Sequence, residues 1–443
     1  MFSNKDLRKL IIPLVIEQLL AVTIGMADTV MVSSCGEAAV SGISLVDSIN
    51  FLLITLFSSL ATGGAVIASQ YIGRGDHKSA SLAAKQLFYA SLALSAVLGV
   101  IAVFFRKPVL NMAFGSIEAG VMAHAQIYFL LSAISYPFLA VYNAGAALFR
   151  SMGDSRTTML ISILMNTINI VGNAILIYGF QMAAAGAATA SLVSRAVGAI
   201  IITVLLLNPR RIIFYDKLHK PEIHLSMLKS ILQIGVPNGL ENSIFQIGKI
   251  LVASIVSGFG TISITANAVA GNLASLQVIP GMALGMAMIT VVGQCIGAKD
   301  YEAVKKYTKK LMLITYGVVW AMTLLMLLFS KQILSFYSLS EETTTMTMEV
   351  FIVHGICAVI VWPLAFALPN ALRAANDVRF TMIVSLLSMW IFRIGFSYIL
   401  AIYFNMGILG TWIAMCIDWF CRGACFVIRF ARGKWKNISF IDN

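Results

Sequence analysis

The sequence predicts an all-α membrane protein with twelve transmembrane helices in two pseudo-symmetric six-helix lobes. Three observations predict it: a shortage of charge, charge-free runs of membrane length, and a gapless internal repeat. Hydrophobic residues make up 59% of the chain and charged residues 11%. Soluble domains carry about 25% charged residues, so the polar surface a water-soluble fold needs is missing. Leu87 to Phe105 and Leu311 to Ser330 contain no charge and are bounded by Lys85 with Arg106 and by Lys310 with Lys331. Each run matches the roughly 20 residues that cross a hydrocarbon core of about 30 Å.

Hydropathy, with Gly, Pro and charge breaks, places the spans near 9–34, 46–73, 83–105, 122–149, 158–179, 183–207, 229–257, 269–297, 308–330, 346–370, 381–404 and 408–430. The first has the basic start of a signal peptide. Glu17 interrupts its apolar stretch and no small-residue cleavage site follows, so it reads as a retained helix. The net charge of +12 is topological. Lys5, Arg8, Lys9, Arg74, Lys78, Arg150, Arg156, Arg210, Arg211, Lys217, Lys299, Arg373 and Arg379 fall in loops on one side, and little beyond Arg106, Lys107 and Lys331 falls on the other. By the positive-inside rule both termini are cytoplasmic. Nucleic-acid binders instead gather their basic residues on one face among aromatics, so no nucleic-acid partner is expected.

The polar stretch 208–228 divides the chain into an N-lobe, 1–207, and a C-lobe, 229–443. Shifting the sequence by 224 residues lays Pro13 on Pro237, Glu17 on Glu241, Gly36 on Gly260, Lys85 on Lys309 and Lys107 on Lys331. The same shift lays Gln70-Tyr-Ile-Gly-Arg-Gly-Asp76 on Gln294-Cys-Ile-Gly-Ala-Lys-Asp300. Arg150, Asp154 and Arg156 match Arg373, Asp377 and Arg379 at a shift of 223. Both copies hold six spans and start on the same side, so the repeats are parallel. Transporters built this way carry substrate between their halves near the midplane, which predicts a central cavity.

Ionisable residues at membrane depth are costly and mark function by default. Asp28, in Gly25-Met-Ala-Asp-Thr-Val, has no basic residue within two turns. Burial there calls for a cation or a proton, or for a structural hydrogen bond to backbone or Ser/Thr. Glu17 lies nearer the headgroups, where it can pair with Lys9; Glu241, its equivalent, lies deeper, with Lys249 two turns further on as a candidate partner. Arg195 and Arg393 each either neutralise a carboxylate or brace a helix end, with Asp418 a candidate partner. Span five carries Asn166, Asn169 and Asn173, the last two on one face, and span six carries Ser191 on one face with Ala187. Amide and hydroxyl oxygens near one carboxylate suit a hard monovalent cation, and equally suit interhelical hydrogen bonding. His124 and His354 have no partners at metal-ligand spacing. Six cysteines form no CxxC pair. No GxxxxGK[ST], HExxH or GxSxG sequence is present, so an enzyme or a self-contained ATP-driven pump is not expected.

These features resemble the multidrug and toxic compound extrusion (MATE) transporters of bacterial type. The resemblance rests on the 6+6 spans, the central linker, Met-Ala-Asp28-Thr-Val-Met-Val in span one, QxIGxxD after spans two and eight, and Arg-x-x-Gly-Asp-x-Arg after span four. It implies two lobes around a V-shaped cavity, and export of amphipathic, often cationic, compounds in exchange for Na⁺ or H⁺ without any other cofactor. It further implies a multi-pass monomer of the plasma (inner) membrane. The family's N-lobe cation site maps onto Asp28, Asn169, Asn173 and Ser191, with Ala187 a backbone contributor; Asn173 stands where some members have Asp, which tilts the expectation towards Na⁺. The C-lobe acidic site maps onto Glu241 without a second carboxylate, leaving Glu241, Lys249, Glu17, Asn166 and Arg393 as candidates for the substrate cavity or coupling. One alternative is a flippase of lipid-linked oligosaccharide or another lipid precursor, for which Lys249 and Arg393 are the relevant charges. A major-facilitator transporter would need GxxxDR where this chain reads Gly73-Arg-Gly-Asp-His-Lys. A non-transport scaffold leaves the buried carboxylates without a purpose.

Overall fold

The computed structural model describes residues 2–115, 118–216, 218–337 and 339–440; Lys217 of the predicted linker lies outside them. Among the described residues twelve long helices run in order. They are α1 (Asn4–Ser33), α2 (Glu37–Arg74), α3 (His77–Phe114), α4 (Ala119–Ser151), α5 (Ser155–Gly179), α6 (Ala183–Leu206), α7 (Leu225–Ser257), α8 (Thr261–Gly297), α9 (Tyr301–Leu328), α10 (Glu341–Ile360, prolonged through Pro363–Ala367 and Leu368–Ala374), α11 (Val378–Tyr403) and α12 (Gly407–Ala431). The eleven from α2 to α12 are long and apolar enough to cross a membrane, and α1, at 30 residues, has the length to do so.

Several helices start up to nine residues before the predicted spans. At 38 residues, α2 and α3 are about 57 Å long, well beyond the apolar core of a bilayer. Hydropathy sees only the part in lipid, whereas the helix continues through the interface on its own backbone hydrogen bonds.

Two compact units form, Met1–Gly239 and Leu240–Asn443. In the first, α2 and α4 are central, and Gly63 lets the α7 backbone approach so closely that a Cβ there would meet Ile231 O at 2.5 Å. The first turns of α7 therefore belong to this unit, and its boundary falls inside α7 rather than in the linker. The linker itself is bound to α3. Gln86 donates to Glu222 O at 2.7 Å and accepts from His224 N at 3.1 Å, and Tyr89 donates to Leu218 O at 2.9 Å. In the second unit α8 is the central helix, with most of its side chains buried. Large apolar side chains instead face outwards on α3 (Val97, Val100, Phe104) and on α9 (Leu324, Leu325, Leu328), as lipid-facing helices require.

The duplicated motifs turn out to be one turn used four times. Gly75, Gly153, Lys299 and Asn376 each have positive φ, at 80°, 80°, 55° and 67°. The next residue is an aspartate whose backbone N–H bonds five residues back: Asp76 to Tyr71, Asp154 to Phe149, Asp300 to Cys295 and Asp377 to Leu372. That pattern closes one helix in a Schellman turn. The same aspartate then opens the next helix. Asp76, Asp154 and Asp300 accept the N–H of Ser79, Thr157 and Ala303, satisfying donors that a helix start leaves free. Hydrogen bonds from Ser79 hold the Asp76 carboxyl below the usual carboxylate range. Asp377 makes no cap bond and is instead gripped by Arg429 at 2.6 and 3.0 Å.

Lys299 is the strained member of the four. A side chain in the left-handed region costs roughly 1–2 kcal/mol, and Gly returns part of that as lost chain entropy. Lys299→Gly is expected to raise stability by up to about 1 kcal/mol, measured as a higher melting temperature of the purified protein.

Candidate functional site

The first unit brings α1, α5 and α6 together around Asp28. Asn173 Nδ2 donates to Asp28 Oδ1 at 2.6 Å and lies 3.4 Å from Asn169 Oδ1. Asn169 Nδ2 donates to Ser191 Oγ at 3.1 Å. The four residues therefore form one hydrogen-bonded chain across three helices. Asn169 and Asn173 are buried, Asp28 is half-buried, and Asn173 Oδ1 has no hydrogen-bond partner among the described residues. Directly after Asn173 the helix changes to π geometry over Ala174–Gly179, a feature that recurs at functional sites. Ala187 packs in an apolar cluster with Val32, Ile43, Ile177 and Ala184. Asn166 bonds Ser162 at 3.4 Å within its own helix and does not join the chain.

A second network, not anticipated from the sequence, centres on Asp47 of α2. Tyr128 donates to Asp47 Oδ1 at 3.0 Å and Asn50 does so at 3.2 Å. Tyr136 donates to Asn50 Oδ1 at 2.8 Å. Arg195 of α6 donates to Ser135 Oγ at 2.7 Å. Asp47 stands at the first turn of the predicted second span, where an acidic residue reads as a helix-start charge. The rule that singled out Asp28 applies to Asp47 once the helix is seen to begin ten residues earlier, at Glu37.

The glutamates have other partners than expected. Glu17 pairs not with Lys9 but with Arg150 at 3.2 Å, and Thr158 donates to its second oxygen at 2.9 Å. Glu241 pairs not with Lys249 but with Arg373 at 2.7 Å, and Arg373 also donates to Asn370 at 3.0 Å. These are the same ion pair in the two repeats, made by the arginine that opens each Arg-x-x-(Gly/Asn)-Asp turn. Lys249 is exposed and has no carboxylate partner among the described residues.

In the second unit Asp418 is fully buried. Arg422 holds both its oxygens at 3.1 and 3.0 Å, and Arg393 approaches at 4.0 Å. Both guanidinium groups lie over the Phe245 ring, at 5.4 and 5.5 Å. His354 contacts Gln277 Oε1 at 2.9 Å through Nδ1 and packs against Phe351, Trp412 and Trp419.

The repeat register makes the contrast between units specific. Left-handed residues at 181 and 183 recur at 405 and 407, so the 224-residue shift extends to α6 and α12. Under it Asp28, Asp47, Asn50 and Arg195 fall on Val252, Gly271, Ala274 and Trp419, and Asn173 falls on Phe396 at a shift of 223. The first unit concentrates oxygen donors and two carboxylates, a set suited to a hard cation or a proton. The second replaces them with apolar and aromatic residues around a net positive cluster.

The MatE family model matches residues 13–175 and 237–399, two stretches offset by the same 224 residues as the internal repeat. The chain is 26% identical over 429 residues to the uncharacterized transporter YisQ of Bacillus subtilis, covering 96% of this chain and 93% of that protein. It is 29% identical over 434 residues to the probable multidrug resistance protein NorM of Bacillus cereus, covering 95% and 93%. An outward-facing structure of a multidrug resistance MATE family transporter superposes with a TM-score of 0.89 at 21% identity, covering 98% of this chain and 97% of that one. With both halves matched in register over most of their length, this multi-pass membrane protein belongs to the MatE family.

Proposed function

We propose that this chain is a secondary active exporter that exchanges amphipathic, often cationic organic compounds for Na⁺ or H⁺ by alternating access. The observation that carries the reading is the Asp28–Asn173–Asn169–Ser191 chain, with a buried carbonyl oxygen left open beside the carboxylate. Export against a gradient needs the cation and the compound to favour opposite states, since a ligand shifts only an equilibrium whose two sides it binds differently. Similarity to NorM supports drug-like compounds as the class exported. The protein is taken to act as a monomer in the plasma membrane with both termini in the cytoplasm.

The test is efflux of a fluorescent lipophilic cation from proteoliposomes under independently imposed Na⁺ and pH gradients. Acceleration by one inward cation gradient supports exchange and names the ion, and indifference to both overturns it.

A second reading is favoured by one observation. Arg393 and Arg422 share a single carboxylate, Asp418, in the second unit, and the exposed Lys249 adds a further positive charge on α7; an excess of positive charge suits the phosphate of a lipid-linked precursor. Translocation of a labelled pyrophosphate lipid in the same vesicles, independent of either gradient, would favour that flippase over the exporter.

A further inference from the structure

Asp28, Asp47 and Arg195 make one charge set inside the first unit, with Tyr128 and Tyr136 the other titratable groups around it. We propose that Asp47 is a second carboxylate of the cation site, and that Arg195 is a fixed internal countercharge limiting the site to one monovalent cation per cycle. The inference rests on the reading of Asp28 as the coupling group.

Three features of the geometry carry it. Asp47 accepts both its hydrogen bonds, from Tyr128 and Asn50, on Oδ1, leaving Oδ2 without a hydrogen bond among the described residues. Arg195 is anchored by the neutral Ser135 hydroxyl and has no carboxylate within ion-pair distance among the described residues. Val32 and Ile43, one turn from Asp28 and Asp47 respectively, share one apolar cluster, and Ser191 of the Asp28 chain is one turn before Arg195 on α6, so the three charges lie together. Asn173, only 1% exposed, presents beside Asp28 an Oδ1 without a hydrogen-bond partner among the described residues, an oxygen able to ligate a cation.

Two carboxylates, the half-buried Asp28 and the exposed Asp47, and one guanidinium leave a single net negative charge at the site. One Na⁺ or one H⁺ neutralises it, and a second would leave uncompensated positive charge beside the buried Asn169 and Asn173, which is disfavoured. The register of the repeat agrees. Asp28, Asp47 and Arg195 fall on Val252, Gly271 and Trp419, so the second unit carries none of the three charges at these positions.

The experiment counts cations on the purified full-length protein, with ²²Na⁺ equilibrium dialysis for Na⁺ and potentiometric titration for H⁺. Wild type is expected to bind one cation that Asp28→Asn lacks. Asp47→Asn is expected to lose it as well while melting like wild type, and Arg195→Met to bind two. The double variant Asp47→Asn/Arg195→Met, which restores one net negative charge, is expected to regain one; a purely structural role for Asp47 gives no such rescue. Arg195→Gln serves in place of Arg195→Met should the latter not fold. Wild-type binding in Asp47→Asn, or a count that stays at one without Arg195, overturns the proposal. Wild-type binding in Asp28→Asn overturns the coupling reading itself, so the two failures are distinguishable.

Discussion

Arg373→Met is expected to destabilise the protein by about 3–5 kcal/mol, the range found when one partner of a buried ion pair is removed. Glu241 is buried, its Oε1 depends on Arg373 at 2.7 Å, and its Oε2 has no hydrogen-bond partner among the described residues. Without Arg373 that carboxylate is left charged and unpaired, or must take up a proton. The equivalent Arg150→Met is expected to cost less, because Thr158 still donates to Glu17 at 2.9 Å. Glu241→Gln combined with Arg373→Met should recover much of the loss, since an uncharged pair leaves no buried charge behind. Thermal melting of the detergent-purified variants reads all three. Equal losses in Arg150→Met and Arg373→Met would show that the Thr158 hydrogen bond contributes nothing.

Asp28→Asn has the largest expected effect on transport. Asparagine keeps the size and one oxygen of the carboxylate but removes its charge, and Asn173 Nδ2, which donates to Asp28 Oδ1 at 2.6 Å, can bond to the new amide oxygen. The fold is therefore expected to be unchanged, with a melting temperature within a degree or two of wild type, the scale of a surface-like change of about 0.5 kcal/mol. Gradient-driven efflux is expected to vanish. Efflux that persists at the wild-type rate would remove Asp28 from the mechanism, whereas a large drop in melting temperature would mark it as structural.

The parts of this fold that were legible in the sequence are those written locally or written twice. Charge-free runs show where lipid lies, and the 224-residue shift shows that the six-helix unit repeats. The Asn169 and Asn173 spacing places both amides on one face, and the structure puts that face against Asp28. The ion pairs were less legible, because Glu17 and Arg150 are 133 residues apart and Glu241 and Arg373 are 132 apart, far beyond any helical period. A signal existed nonetheless. An acid and a base that are both duplicated in the same register point to each other, and the nearer Lys9 and Lys249 drew attention away from it. Asp47 was missed because hydropathy starts its helix at residue 46, nine residues after Glu37, and so reads as terminal a carboxylate that stands ten residues into the helix.

The four aspartate turns have a mechanical consequence. Each clamps two helices at one end through a Schellman closure and, in three cases, a side-chain cap, and all four lie at the same end of their unit. The opposite ends of α5 and α11 carry the π segments Ala174–Gly179 and Tyr398–Tyr403, whose wider turns hold fewer aligned hydrogen bonds. Stiffness is thus graded along each helix pair, like tines fixed in a handle. Asn173, which bonds Asp28, stands directly before the π segment of α5, so that contact sits at the compliant end of the tine, where a small local force gives the largest deflection.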